Sequence, residues 1–137
     1  YRAVYQFGQV IDACASARRD SAAARRFFQR ARTASGVVPA EVITDRAPTY
    51  FRTLDELWPA AWHHHEQYAN NRVGADHAQL KRWLRPMRGI KTMTGLRVVA
   101  AGHAFVQNPH RGHYEIATDE PRGRQVAVAF AELASAI

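Results

Sequence analysis

Glu41-Val-Ile-Thr-Asp-Arg-Ala-Pro48 is the stretch on which the fold turns. Residues 41–44 read as a buried strand, with Asp45 at its C-terminal end. Pro48 suits the first turn of a following helix, where its missing N–H removes no hydrogen bond. That helix is predicted over Thr49–Leu57, ending near Pro59. A strand that closes on a carboxylate before a loop is where open α/β sheets place their sites.

Upstream, Tyr1–Tyr5 and Gln9–Ala17 favour extended structure. Gln6-Phe7-Gly8 supplies a turn between them, so the pair reads as a hairpin. Cys14 lies in its second strand and is expected to be a small buried filler. Asp20 has the chemistry of an N-cap for a helix over Ser21–Thr33, and Gly36 that of its stop. Ala24, Phe27, Phe28 and Ala31 fall at i, i+3, i+4 and i+7, an apolar face.

Downstream, Ala60–Tyr68 reads as a short strand and a loop. A helix is predicted from Arg72, with Val73, His77, Leu80 and Leu84 as its core stripe, broken by Pro86 and Gly89. Another spans Thr94–Phe105 and is stopped by Asn108-Pro109. Residues 117–124 read as a flexible linker. A last amphipathic helix, Val126–Ile137, has Val126, Phe130, Leu133 and Ile137 as one stripe. Strand, strand, helix, strand, then mostly helix is a mixed α/β order.

The 137 residues make room for one domain, and their 47% apolar content fits a globular core. The formal charge is +7. That surplus points to a polyanion, nucleic acid before an anionic membrane. No apolar run approaches the roughly 20 residues needed to span a bilayer, so no membrane partner is expected. One cysteine excludes an internal disulfide and points to a reducing, cytoplasmic compartment.

The charge is segregated. Residues 18–32 hold six Arg and one acid; residues 72–97 hold seven Lys or Arg and only Asp76 as acid. At about 100° per residue, Gly74, Ala78, Lys81 and Arg85 share a helix face. Arg82 flanks it, and Arg88 and Lys91 extend the charge past Pro86. These five cations, Lys81, Arg82, Arg85, Arg88 and Lys91, are the predicted DNA-binding residues. Trp83 nearby has the shape to stack on a base or to pack in the core.

Tyr1-Arg-Ala-Val4, Val10-Ile-Asp12 and Thr44-Asp-Arg-Ala-Pro48 form a set with Glu66-Gln-Tyr-Ala-Asn-Asn71, Ala75-Asp-His77, Leu80-Lys-Arg82 and Arg85-Pro-Met-Arg-Gly89. In this combination the chain, from Tyr1 to about Tyr114, resembles the catalytic domain of a bacterial insertion-sequence transposase of the DDE class, in the family numbered six. The resemblance implies an RNase H-like α/β fold, a mixed sheet flanked by helices. The chain opens inside a strand, so that sheet is expected to be incomplete at its N-terminus. It divides the chain into a truncated catalytic domain at 1–116 and a linker with the C-terminal helix at 117–137.

The resemblance also implies DNA transposition by metal-dependent phosphoryl transfer, with three carboxylates holding two magnesium ions (Mg²⁺). Asp45 takes the second carboxylate position, as catalytic and metal-binding residue. The first lies upstream of Tyr1. The third, a Glu two residues before Asp76-His77, falls on Gly74, which has no side chain. Asp76 sits about 200° away round a helix, and Glu66 needs a different backbone path. Asp12, in the neighbouring strand, is within conceivable reach of Asp45. The chain as it stands is therefore expected not to cleave or join DNA. The alternative is a non-catalytic DNA-binding or interaction module derived from a transposase; a third reading is a relic that folds poorly. The expected partners are DNA, further copies of the chain, or an intact transposase, in a nucleoid-associated setting.

His63-His64-His65 and His110-x-x-His113 invite a zinc reading, but successive strand residues alternate sides and no Cys partner is near. No Gly-rich phosphate loop supports nucleotide hydrolysis.

Overall fold

In the computed structural model the residues described are 1–65, 78–82, 84–86 and 88–136. The first two strands, β1 (Arg2–Val4) and β2 (Val10–Ala13), form the expected antiparallel hairpin. Its connection closes through Tyr5 N–H to the Gln9 carbonyl at 2.7 Å and Gly8 N–H to the Tyr5 carbonyl at 2.8 Å. Gly8 takes φ 95°, which a side chain would disfavour.

Helix α1 (Ser21–Ser35) follows, longer at its end than expected by two residues. Asp20 caps it: Ala23 N–H donates to Asp20 Oδ1 at 2.8 Å, and Gly36 closes the other end at φ 71°. Its apolar stripe is buried as the periodicity predicts, with Ala24, Phe27, Phe28 and Ala31 all inside. Strand β3 (Glu41–Ile43) leads into α2 (Pro48–Leu57), whose first residue is the expected proline. Strand β4 (Trp62–His64) returns to pair with β3 in parallel, Val42 opposite His63.

The core joins α1 to α2. Ala24, Phe27 and Phe28 pack with Leu54 and Trp58, and Tyr1, Ala3, Cys14, Val42 and Tyr50 close around them. Phe28 meets both Tyr50 and Trp58 edge-on, at 5.7 and 5.6 Å between ring centres, an arrangement aromatic rings favour. Glu56 on α2 accepts from Arg25 of α1 and from Arg52 on its own helix. Cys14 is half-buried just beyond β2, a rim position of this core and not a filler deep within it.

Residues 78–82 and 84 are helical, with Leu80 and Leu84 half-buried; Val73 and His77 lie outside the described residues. Helix α3 (Met93–His110) starts at Thr92, whose hydroxyl accepts from Gly95 N–H at 3.0 Å, and packs on β2. Helix α4 (Arg122–Ser135) starts four residues before the expected Val126, so residues 122–124 are helix and not linker, and it packs on α3, with Phe105 and Phe130 5.4 Å apart.

The 41–44 segment is not a buried strand: Val42 faces the core while Glu41 and Ile43 face solvent, the alternation of a half-buried strand. Asn108-Pro109 does not stop α3. The helix runs on to His110 because Gln107, Asn108 and Pro109 are buried, and a proline this near a C-terminus removes only one helical bond. The α4 stripe is mostly uncovered: Phe130 is half exposed, and Ala129, small enough for close helix approach, is the buried residue.

The class is mixed α/β. Among the described residues the strands form two separate pairs, β1–β2 and β3–β4, in place of one continuous mixed sheet. At β2 the Asn108 side chain takes both backbone groups of Val10.

Candidate functional site

Asp45 stands two residues beyond β3 and is exposed. Its Oδ1 accepts the Ala47 N–H at 3.1 Å. That local bond shapes the turn into α2, whose own N-cap position, Ala47, offers no side-chain acceptor. Thr44 behind it is buried, and its hydroxyl donates to the Asp45 carbonyl at 2.8 Å. The same Thr44 oxygen lies 2.7 Å from His63 Nε2. With the hydroxyl proton committed to Asp45, the His63 ring N–H donates to Thr44.

Sequence reading missed this Thr44–His63 link. Alternation along a strand sets His63 and His65 on one side, but the partner they meet there comes from the β3–β4 pairing. His63 and His65 share one side and lie 4.9 and 5.0 Å from the Phe51 ring; His64 turns the other way, stacks on Trp62 at 5.3 Å and meets Glu41 at 3.3 Å. Burial, and then the neighbouring His65 and His64, hold the His63 pKa below its ordinary value. Tyr50 on α2 is pushed up to about 12, first by burial and then by the Asp45 charge.

Asp12 does not join Asp45 as a second carboxylate in a shared sheet. Its strand pairs with β1, not with β3, and its Oδ1 accepts from Arg30 Nη2 at 2.9 Å. Among the described residues no three His, Cys, Asp or Glu side chains gather where they could hold a metal ion. Glu66, Gly74, Asp76 and Trp83 lie outside the described residues.

Lys81, Arg82, Arg85, Arg88 and Lys91 are all exposed. Among the described residues no hydrogen bond or ion pair joins any of these side chains to Asp45 or to another carboxylate. The helical segment that carries the first of them ends in a tight reversal. Arg88 N–H donates to the Arg85 carbonyl at 3.1 Å and Gly89 N–H to the Leu84 carbonyl at 3.2 Å, with Arg88 and Gly89 both left-handed at φ 55° and 83°. This is a Schellman closure with arginine at the position glycine usually fills, and it turns the cationic run out of the helix.

The sequence model of a family described as a DDE domain matches residues 1–113. No curated protein and no solved structure matches the chain significantly.

Proposed function

The chain belongs to the DDE-domain family of insertion-element transposases, and on that premise we propose that it is an RNase H-like domain of a DNA-transposition protein whose own phosphoryl-transfer chemistry has been lost while its contact with DNA persists. The observation that carries the reading is Asp45. It is an exposed carboxylate just past the end of β3, and position 74, where the resemblance requires a Glu, is glycine.

Divalent metal is typical of the family, and the group expected here is Mg²⁺. Two such ions need many oxygen ligands at fixed geometry. The described residues do not fit that demand. Asp45 contributes one carboxylate, with one oxygen already accepting from Ala47. Asp12 is engaged by Arg30, and Glu41 stands at the start of β3, the end away from Asp45. Among the described residues a two-metal reaction therefore has no ligand set.

DNA is the partner this reading assigns to Lys81, Arg82, Arg85, Arg88 and Lys91. Exposed cations without carboxylate partners attract a phosphate backbone and release its counterions. Further copies of the chain or an intact transposase are compatible partners, in a cytoplasmic, nucleoid-associated setting. Among the described residues no helix is long and apolar enough to cross a membrane.

A nicking and strand-transfer assay with Mg²⁺ or Mn²⁺ tests the loss of chemistry. The expected result is no turnover, identical for the parent and for Asp45→Ala. Turnover abolished by Asp45→Ala would overturn the reading.

A further inference from the structure

Apart from Arg30, which holds Asp12, the arginines of residues 18–32 take no part in the site described above. Three of them, Arg18, Arg26 and Arg30, meet Arg97 of α3 around a cleft of about 830 Å³. The cleft lies between the segment that follows β2, the first turns of α1 and the exposed side of α3. Its one acid is Asp20, and that carboxylate already accepts from Ala23 N–H as the cap of α1. Arg30 is shared, with Nη2 on Asp12 at 2.9 Å and Nη1 3.5 Å from Cys14 Sγ. Among the described residues no hydrogen bond or ion pair engages the side chains of Arg18, Arg26 or Arg97. The cleft is thus cationic, with the guanidinium groups of Arg18, Arg26 and Arg97 left for an external anion.

Shape narrows the occupant. Ala13, Ala15, Ala17 and Ala22 form part of the lining, so small side chains let a ligand descend between the arginines. Among the described residues that line the cleft none is aromatic, which leaves no platform for stacked bases. Guanidinium groups match phosphate oxygens in paired hydrogen bonds. A concavity of this volume exceeds a single phosphate and admits a run of backbone.

We infer that the α1–α3 cleft is a second DNA site, holding the sugar–phosphate backbone through Arg18, Arg26 and Arg97 without reading bases. The inference rests on DNA being the partner, as proposed above, and assigns it a surface other than residues 81–91.

The test uses the full chain and a fluorescent DNA duplex, with binding followed by anisotropy across a salt series. Arg26→Gln/Arg97→Gln is expected to make the slope of log affinity against log salt shallower by about 1.8, for two lost phosphate contacts. Thermal melts of this exposed double variant are expected to match the parent. Cys14, the chain's single cysteine, lines the same cleft and gives a readout that needs no substitution. Duplex at a concentration equal to its Kd is expected to halve the rate of Cys14 alkylation by iodoacetamide; inorganic phosphate at equal phosphate concentration is expected to leave it unchanged.

An unchanged slope in Arg26→Gln/Arg97→Gln, beside a shallower one in Lys81→Gln/Arg85→Gln, overturns the cleft assignment and leaves DNA binding intact. Absence of duplex binding by the parent overturns the functional reading itself. Protection of Cys14 by phosphate as strong as by duplex makes the cleft a free-anion site, and protection only by anionic vesicles makes it a membrane contact. Either result overturns the inference.

Discussion

The side-chain amide of Asn108 satisfies both backbone groups of Val10: Oδ1 accepts the Val10 N–H at 2.8 Å, and Nδ2 donates to the Val10 carbonyl at 2.9 Å. Both residues are buried, and the amide plays the part of the next strand's peptide. Nδ2 also donates to the Tyr114 hydroxyl at 3.0 Å. Asn108→Ala leaves two backbone groups buried without partners, each worth about 1–3 kcal/mol. The expected loss is about 2–6 kcal/mol in urea unfolding. Asn108→Asp keeps the acceptor but sets a carboxylate against the Val10 carbonyl, so its deficit is expected to shrink in acid as the carboxyl gains a donor proton. An Asn108→Ala loss within about 0.5 kcal/mol, the range of ordinary surface changes, would show that the hairpin does not depend on α3.

Tyr50 and His63 set the two ends of the stability profile. The Tyr50 phenol is held neutral up to about 12, by burial first and by the Asp45 charge second. In the unfolded chain it ionises near its ordinary 10. Its contribution is therefore complete below that point and is lost as pH climbs from 10 toward 12. His63 works in the opposite direction. Burial lowers its pKa from 6.5, so the folded state prefers the neutral ring, and stability falls as pH drops below the unfolded value. Tyr50→Phe is expected to flatten the alkaline limb and His63→Gln the acid limb, read from urea midpoints across pH. Asp45→Asn is expected to move the Tyr50 phenolate transition, followed by ultraviolet absorbance, down by only part of its displacement, because burial is the larger cause. A full return to the ordinary value would show that burial is the minor cause.

Legibility in the sequence tracks how local the physics is. The ends of α1 follow from Asp20 and Gly36, each acting within one helical turn, and Pro48 marks the start of α2 in the same way. The hairpin follows from Gly8, and the α1 core stripe from a 3.6-residue period. Asn108-Pro109 misleads because what extends the helix through it is a bond 98 residues away in sequence, to Val10. The β3–β4 pairing hides for the same reason: parallel strands meet only through a crossover, here α2. At the site, the place of Asp45 after a strand was readable from residues 41–48. The Thr44–His63 contact was not, since it depends on that pairing.

Arg88 allows charge and conformation to be separated. It sits at φ 55° in the closure after Pro86, a left-handed position that costs a non-glycine residue roughly 1–2 kcal/mol. Glycine relieves that strain and returns about 0.5–1 kcal/mol of it through the freedom of the unfolded chain. Arg88→Gly is therefore expected to leave stability unchanged or raise it by up to about 1 kcal/mol in urea unfolding. The neighbouring Gly89→Ala places a side chain at φ 83° with open space around it, so its expected loss of about 1 kcal/mol comes from backbone strain alone. If Arg88 touches a phosphate, its removal also makes the salt dependence of duplex binding shallower by about 0.9. A protein that keeps its fold and loses that increment has an arginine retained at a strained position for its charge. Arg88→Gly that lowers stability by more than about 1 kcal/mol, with the salt slope intact, would make Arg88 a structural residue and remove it from the DNA surface.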